Sequence, residues 1–386
     1  MSGSIFMGWS RAESLRAGGP VEIPISALTR HICILGATGS GKSTTASIIA
    51  RGLASNGIST VILDRTGEYV RLKEPLENTR VYQPGNNLVM ALLHFDADAS
   101  LGVQVEGWLG MLNHYTTVTF GSQISPLQSR VLREVLTKYY TGTHEVLTVS
   151  KLIAKLEAYE DRFRRRSGWE ESIEALISRL VPLTVDLVGR TFNLPYTSLE
   201  LGSLFEGSIS IFDMSAMEED GAKNLLSQMV LKRLYQLMRT RDITDEVNLV
   251  VILDEAQHLA PNQDYFSIPE RCAIELRKYG FSLVTIATRP SLISPNILSN
   301  SSTVISHVLI NERDIDAVLC YLLDGSENSA MKRAVRTLPT GSAVVQRNFP
   351  VPVRPLVCSI DRRLTGGRCS PIQSEPITEN STAKAL

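Results

Sequence analysis

Residues 36–43, GATGSGKS, constrain this chain more than any other segment. They fit G-x-x-x-x-G-K-[ST], a loop that works only where a buried strand runs into a helix. Both flanks have the required character. Residues 31–35 (HICIL) are a short apolar run that reads as a buried strand, and residues 42–56 have helical spacing that stops at Gly57. Residues 58–64 (ISTVILD) form a second β-branched run. Strand, loop, helix and strand make the βαβ unit of a parallel sheet covered by helices.

Each loop position has a physical task. Gly36, Gly39 and Gly41 let the backbone turn tightly and present its N–H groups, with those of Ala37, Thr38, Ser40 and Thr44, to phosphate oxygens. The positive end of the following helix faces the same anion. Lys42 is placed to reach β- and γ-phosphates, and the Ser43 hydroxyl to sit on Mg²⁺. The pattern therefore points to ATP with Mg²⁺.

Beyond the loop, residues 208–214 (SISIFDM), 249–254 (LVVILD), 282–287 (SLVTIA) and 303–310 (TVISHVLI) read as further strands. Helices are expected over 221–239 and 269–279, and last strands near 342–346 and 353–360. From about 98 to 201 the strand-like runs give way to helical stretches such as VLREVLTKYY and SIEALISRLVPLTV. The expected class is α/β: a P-loop NTPase with a mostly parallel sheet flanked by helices. Its expected division is a short N-terminal segment (1–30), a core over 31–97 and 202–360, a helical insertion over 98–201, and a flexible tail over 361–386.

Composition excludes little more. Apolar residues make up 43% of the 386 positions and charged residues 20%, which suits a soluble globular chain. There is no apolar run long enough to span a bilayer, and the N-terminus lacks a secretory pattern, so no membrane insertion and a cytoplasmic location are expected. Five cysteines without paired spacing argue against a disulfide framework and a zinc site. The net charge of −1 neither announces nor excludes nucleic acid, because a motor that encircles DNA needs cations only where phosphates pass.

A P-loop ATPase needs a carboxylate at a neighbouring strand end to hold Mg²⁺ through its water shell. Residues 249–255 (LVVILDE) supply an apolar strand ending in two acids. Asp254 is the expected metal-side residue, and Glu255 the one that orients and deprotonates the attacking water. Thr288, after SLVTIA, reads either as a group facing the γ-phosphate or as a strand-end cap. Asp64 and Glu68, in DRTGEY, read as support for the metal, as a contact across a subunit boundary, or as a solvated turn around Gly67.

Together these motifs resemble the HerA–FtsK group of hexameric translocases, the HerA-like ATPases most of all. The resemblance rests on GATGSGKS, LDRTGEY from Leu63, ILDEAQHLAP from Ile252, LRKYGFSLV from Leu276 and ATRPSLISPNILSNSSTVI from Ala287. The corresponding family patterns are "DP-x-GEY", "DEAH-x-hydrophobic-x-P", "GRK-x-G" and "ATQRPS". The resemblance implies a RecA-like core, a homo-hexameric ring, and duplex DNA threaded through its pore as ATP turns over. It also implies nucleotide sites at subunit boundaries, to which a neighbour adds a cation. Arg277 matches the arginine of "GRK" and is the first candidate; Arg289 and Arg313 are alternatives. Three departures stand out: only about 35 residues precede the loop, where the family carries a β-barrel, Thr288 replaces the family glutamine, and Leu276 replaces the family glycine. The first puts the family's nuclease partner in doubt and leaves a nuclease or other effector open.

The DNA side is weakly marked. Residues 162–166 (RFRRR), with Trp169 close behind, are the densest basic run and read either as a phosphate grip or as a solvated helix balanced by Glu160, Asp161, Glu170 and Glu171. Lys278, Lys332 and Arg333 are further candidates. Two other readings stay open: a regulatory or scaffolding ATPase working with a partner protein in a defence or mobile-element system, and a conjugation or export motor.

Overall fold

The computed structural model describes residues 3–10, 18–73, 78–97, 99–163, 169–263, 266–322 and 328–365. Eleven strands among them form one sheet: β1 (Ser4–Ser10), β2 (Pro20–Pro24), β3 (Ile32–Leu35), β4 (Ser59–Asp64), β5 (Thr79–Tyr82), β6 (Ile209–Asp213), β7 (Thr244–Leu253), β8 (Tyr279–Ala287), β9 (Thr303–Ser306), β10 (Ser342–Arg347) and β11 (Val353–Ile360). Their spatial order is β2-β1-β11-β10-β9-β3-β8-β7-β4-β6-β5. The seven strands from β9 to β5 run parallel. The other four continue the sheet antiparallel.

Alternation along the central strands explains the layering. In β3, Cys33 and Leu35 point to one core and Ile32 and Ile34 to the other. In β7, Leu249, Val251 and Leu253 face the first core, while Val250 and Ile252 face the second. Strands buried on both faces read as continuous apolar runs, which is why their sequences show no polar alternation. Helix α1 (Lys42–Ser55) covers the second face with Ala46, Ile49, Ala50 and Leu53.

Between β5 and β6 the described elements are helical: α2 (Leu101–Phe120), α3 (Pro126–Gly142), α4 (Val149–Phe163), α5 (Trp169–Leu180) and α6 (Asp186–Phe192). Their apolar faces join the first core, which also takes in α7 (Asp220–Met238) and α8 (Ile268–Glu275). The chain continues through α9 (Pro295–Ser299), α10 (Glu312–Leu322) and α11 (Asn328–Thr337). No helix among the described residues is long and apolar enough to cross a membrane.

Several elements differ in extent from their sequence expectation. Strand β7 starts at Thr244, five residues early, because an irregular stretch before Leu249 still pairs with β8. Helix α8 ends at Glu275, short of Tyr279, since the chain must turn through Gly280 (φ +81°) as β8 begins. Strand β9 ends at Ser306, where His307 turns inward beneath the glycine-rich loop. The stretch over 1–30 contributes β1 and β2 to the sheet. Of the tail expected over 361–386, Arg362–Thr365 form a 3-10 turn and the residues beyond lie outside those described. The basic run at 162–166 also lies outside the described residues, apart from the helical backbone of Arg162 and Phe163.

Candidate nucleotide-hydrolysis site

Parallel strands deliver their carboxyl ends to one edge of a sheet, where ligands of α/β proteins collect. Here β3, β8 and β7 are consecutive neighbours, with Leu35 opposite Ala287 and Leu253 opposite Thr285. The glycine-rich loop, Thr288 and the acids Asp254 and Glu255 therefore leave the same edge. Strand β4 adds Asp64 beside them, level with Asp213 of β6.

The loop is pinned from below. Gly36 N–H donates to Ala287 O (3.2 Å), Ala37 N–H to Val308 O (2.8 Å), and Gly341 N–H to Ser40 O (3.2 Å). Gly36 is required sterically: at φ +155° a Cβ would stand 2.6 Å from His307 Cβ and 2.7 Å from Ser40 Oγ. Gly41, at φ 113°, forms the N-cap of α1 and leaves the helix's first N–H groups pointing into the cradle. Thr38 and Gly39 form its exposed tip, and Ser43 and Thr44 are half-buried in the first turn of α1.

Lys42 is buried, and its Nζ donates to Ala37 O at 2.9 Å. Burial pushes its pKa below the ordinary lysine value, while Asp254, Glu255 and Glu68 pull it back up. Those three acids are thus electrostatic neighbours of the lysine. Asp254 accepts from Thr66 Oγ1 (3.3 Å) and from the Glu255 N–H (3.1 Å). Its carboxyl is pushed up to about 7, first by burial and then by Asp64, Glu255 and Glu68. A cation placed among these acids would offset their mutual repulsion.

Ser40 Oγ is a buried hydroxyl with no hydrogen-bond partner, and Tyr69 Oη, also buried, has only a weak contact with the Ser43 hydroxyl. Ser43, Asp254, Asp64 and Glu68 are the polar groups acting on Tyr69. Donors left short of partners at the edge of a cradle suit a phosphate and its hydrated metal. Among the described residues no cluster of three or more His, Cys, Asp or Glu would enclose a metal by itself. One hydroxyl (Ser43), one carboxylate (Asp254) and phosphate oxygens are the donor set that Mg²⁺ accepts, so the residues fit the ion.

The remaining candidates divide by edge. Thr288 is half-buried at the end of β8, between loop and acids. Asp64 is fully buried and accepts the N–H groups of Thr66 (3.1 Å), Gly67 (2.8 Å) and Tyr69 (2.9 Å), so it closes the turn after β4. Arg289 is exposed on the same edge as the loop. Arg277 is exposed before β8, on the opposite edge of the sheet near His31, and is not brought to its own chain's loop. Arg313 is exposed near the start of α10. Lys332 is paired with Glu312 (2.6 Å) and Asp316 (3.1 Å), which leaves its charge balanced.

Sequence reading missed three residues that the fold brings to this edge. His307 lies under the loop, its Nε2 accepting from Thr45 Oγ1 (2.9 Å) and its Nδ1 donating to Ser342 O (3.0 Å). Tyr69 and Arg65 come from the DRTGEY turn. The motif flagged that turn, yet the contacts that matter are long-range and leave no local signal.

Known proteins resemble this chain in sequence and in fold. The family model described as "Helicase HerA, central domain" matches residues 14–234. The DNA double-strand break repair helicase HerA of Sulfolobus acidocaldarius is 23% identical over 364 residues, covering 89% of this chain and 67% of the relative. The HerA of Pyrococcus furiosus is 25% identical over 375 residues, covering 86% and 65%. Among solved structures, VirB4 of Thermoanaerobacter pseudethanolicus superposes with a TM-score of 0.72 at 18% identity, covering 93% of this chain and 96% of that one. The plasmid coupling protein TrwB in complex with ADP and Mg²⁺ gives 0.63 at 15% identity, covering 93% and 95%. These structures share the RecA-like fold. The chain belongs to the HerA helicase central-domain family and is a P-loop ATPase.

Proposed function

We propose that this protein is an ATP-driven motor that assembles as a homo-hexamer, hydrolyses ATP with Mg²⁺ and moves along duplex DNA in the cytoplasm. The observation that carries the reading is the adjacency of β3, β8 and β7, which gathers the loop, Thr288 and the two acids on one edge. The relatives named as DNA repair helicases support the DNA part.

In this reading the loop N–H groups and Lys42 bind the phosphates, and Ser43 and Asp254 hold Mg²⁺. The ion supplies charge neutralisation at the β- and γ-phosphates. Glu255 orients the attacking water and accepts its proton. Thr288 faces the γ-phosphate side from the strand between. Arg277, on the far edge, completes the site of a neighbouring subunit, because an arginine fork matches phosphate oxygens and stays charged. The core over 31–97 and 202–360 does this chemistry, and the helical stretch over 98–201 is the part we assign to contacts with DNA or with an effector such as a nuclease.

ATPase rates with and without long duplex DNA, run beside a mass measurement, test the reading. DNA-stimulated turnover by a six-subunit species is expected. Turnover indifferent to every form of DNA, with a stable protein complex, would leave the regulatory reading in its place. Lys42→Ala is expected to abolish nucleotide binding or turnover. Glu255→Gln is expected to bind ATP normally and hydrolyse it about 10²-fold or more slowly.

A further inference from the structure

Arg65 carries a buried guanidinium that the chemistry above does not use. Its side chain is 2% exposed, and it stands where the "DP-x-GEY" pattern has proline. Nη1 donates to Asn224 Oδ1 at 2.6 Å and Nη2 to Asp220 Oδ1 at 2.7 Å, both on the first turns of α7. The third face of the fork looks at the catalytic edge, with Nε 3.9 Å from Glu255 Oε2. His258 Nε2 lies 3.6 Å from the same oxygen.

The anchor is itself held. Asn224 is buried, donates from Nδ2 to His258 O (3.1 Å), and faces His114 Nε2 of α2 at 3.4 Å. Lys223 Nζ donates to the Arg65 carbonyl at 3.1 Å. A guanidinium fixed this firmly biases where a neighbouring carboxylate can settle. At 3.9 Å the contact with Glu255 is too long for a hydrogen bond, so it steers the carboxylate and does not clamp it. Glu255 has reason to need steering. It is a non-glycine residue at φ +48°, its side chain is 37% exposed, and no backbone group holds its carboxylate among the described contacts.

We propose that Arg65 is a positioning residue for Glu255, and that helix α7, through Asp220 and Asn224, sets where that positioning charge stands. This rests on Glu255 orienting the lytic water. Because Asn224 also faces α2, the helices over 98–201 have a route to the hydrolysis step that touches neither nucleotide nor metal.

The test uses steady-state and single-turnover kinetics of the full chain with Mg²⁺-ATP. Arg65→Met is expected to lower kcat about tenfold with KM for ATP within about twofold, Arg65→Lys to recover most of that loss, and Arg65→Met on a Glu255→Gln background to add under about twofold. A role confined to bracing α7 against β4 predicts the opposite: loss multiplied in full on the Glu255→Gln background, or KM raised with kcat kept. Either result, or an unchanged kcat in Arg65→Met, overturns the proposal. Should Arg65→Met fail to fold, Asn224→Ala carries the test: about a threefold kcat loss that vanishes on the Glu255→Gln background is expected, and an additive or absent loss overturns it. If Glu255→Gln alone matches the parent, the reading of Glu255 has failed; if it is slow while Arg65→Met is normal, only Arg65 has lost its role.

Discussion

His31 and His307 are kept neutral by burial, and each is pushed down to about 4. His31 Nδ1 accepts from the Leu283 N–H (3.1 Å), so Nε2 donates to Ala273 O (2.7 Å); both ring positions are committed. Above the ordinary value of 6.5 neither state of the chain protonates these rings, and their contribution to stability is fully present. Between 6.5 and 4 the unfolded chain takes up the protons and the folded one does not, so stability falls as pH falls. The two rings together account for a loss of roughly 4 kcal/mol between pH 7 and 5. Urea unfolding of the parent and of His31→Asn at the two values checks this: the variant's loss over that interval should be about 2 kcal/mol smaller than the parent's. Gly36→Ala is a second residue-scale prediction. The clash with His307 and Ser40 should weaken ATP binding about tenfold or more while the chain still folds, read by nucleotide titration.

At the scale of elements, α3 begins with a reciprocal cap: Gln128 N–H donates to Ser125 Oγ (3.2 Å), Ser125 N–H donates to Gln128 Oε1 (2.9 Å), and Pro126 follows the cap. Ser125→Ala should cost about 1 kcal/mol in denaturant unfolding and leave KM for ATP unchanged. The elements easiest to read in the sequence were those whose ends are chemically marked. β3 runs into glycine, β7 into Asp254, and α1 ends two residues short of Gly57, so these ends followed from local pattern alone. The start of β7 was hidden because Asp245 and Glu246 are exposed and polar there, although the strand still pairs. Arg65 was illegible for another reason. Its partners at 220, 224 and 255 are more than 150 residues away, and a buried arginine has no signature in its own neighbourhood.

On the scale of the whole molecule, Arg277 and the glycine-rich loop sit on opposite edges of one sheet. If a neighbour's Arg277 completes each site, Arg277→Ala should lose about 10³-fold in turnover and still bind ATP. Mixing it with Glu255→Gln should then restore measurable turnover, since mixed assemblies contain boundaries with both groups intact. No recovery, in mixtures shown to exchange subunits, would remove Arg277 from the boundary. The placement of β8 has a different consequence. With one strand between β3 and β7, the span from cradle to acids is two ladder spacings, about 10 Å. Main-chain pairing rules the width of that jaw, so exchanges among the apolar side chains beneath it can erode stability while its gape stays the same. Only a change that unpairs or bulges β8 would re-gauge it.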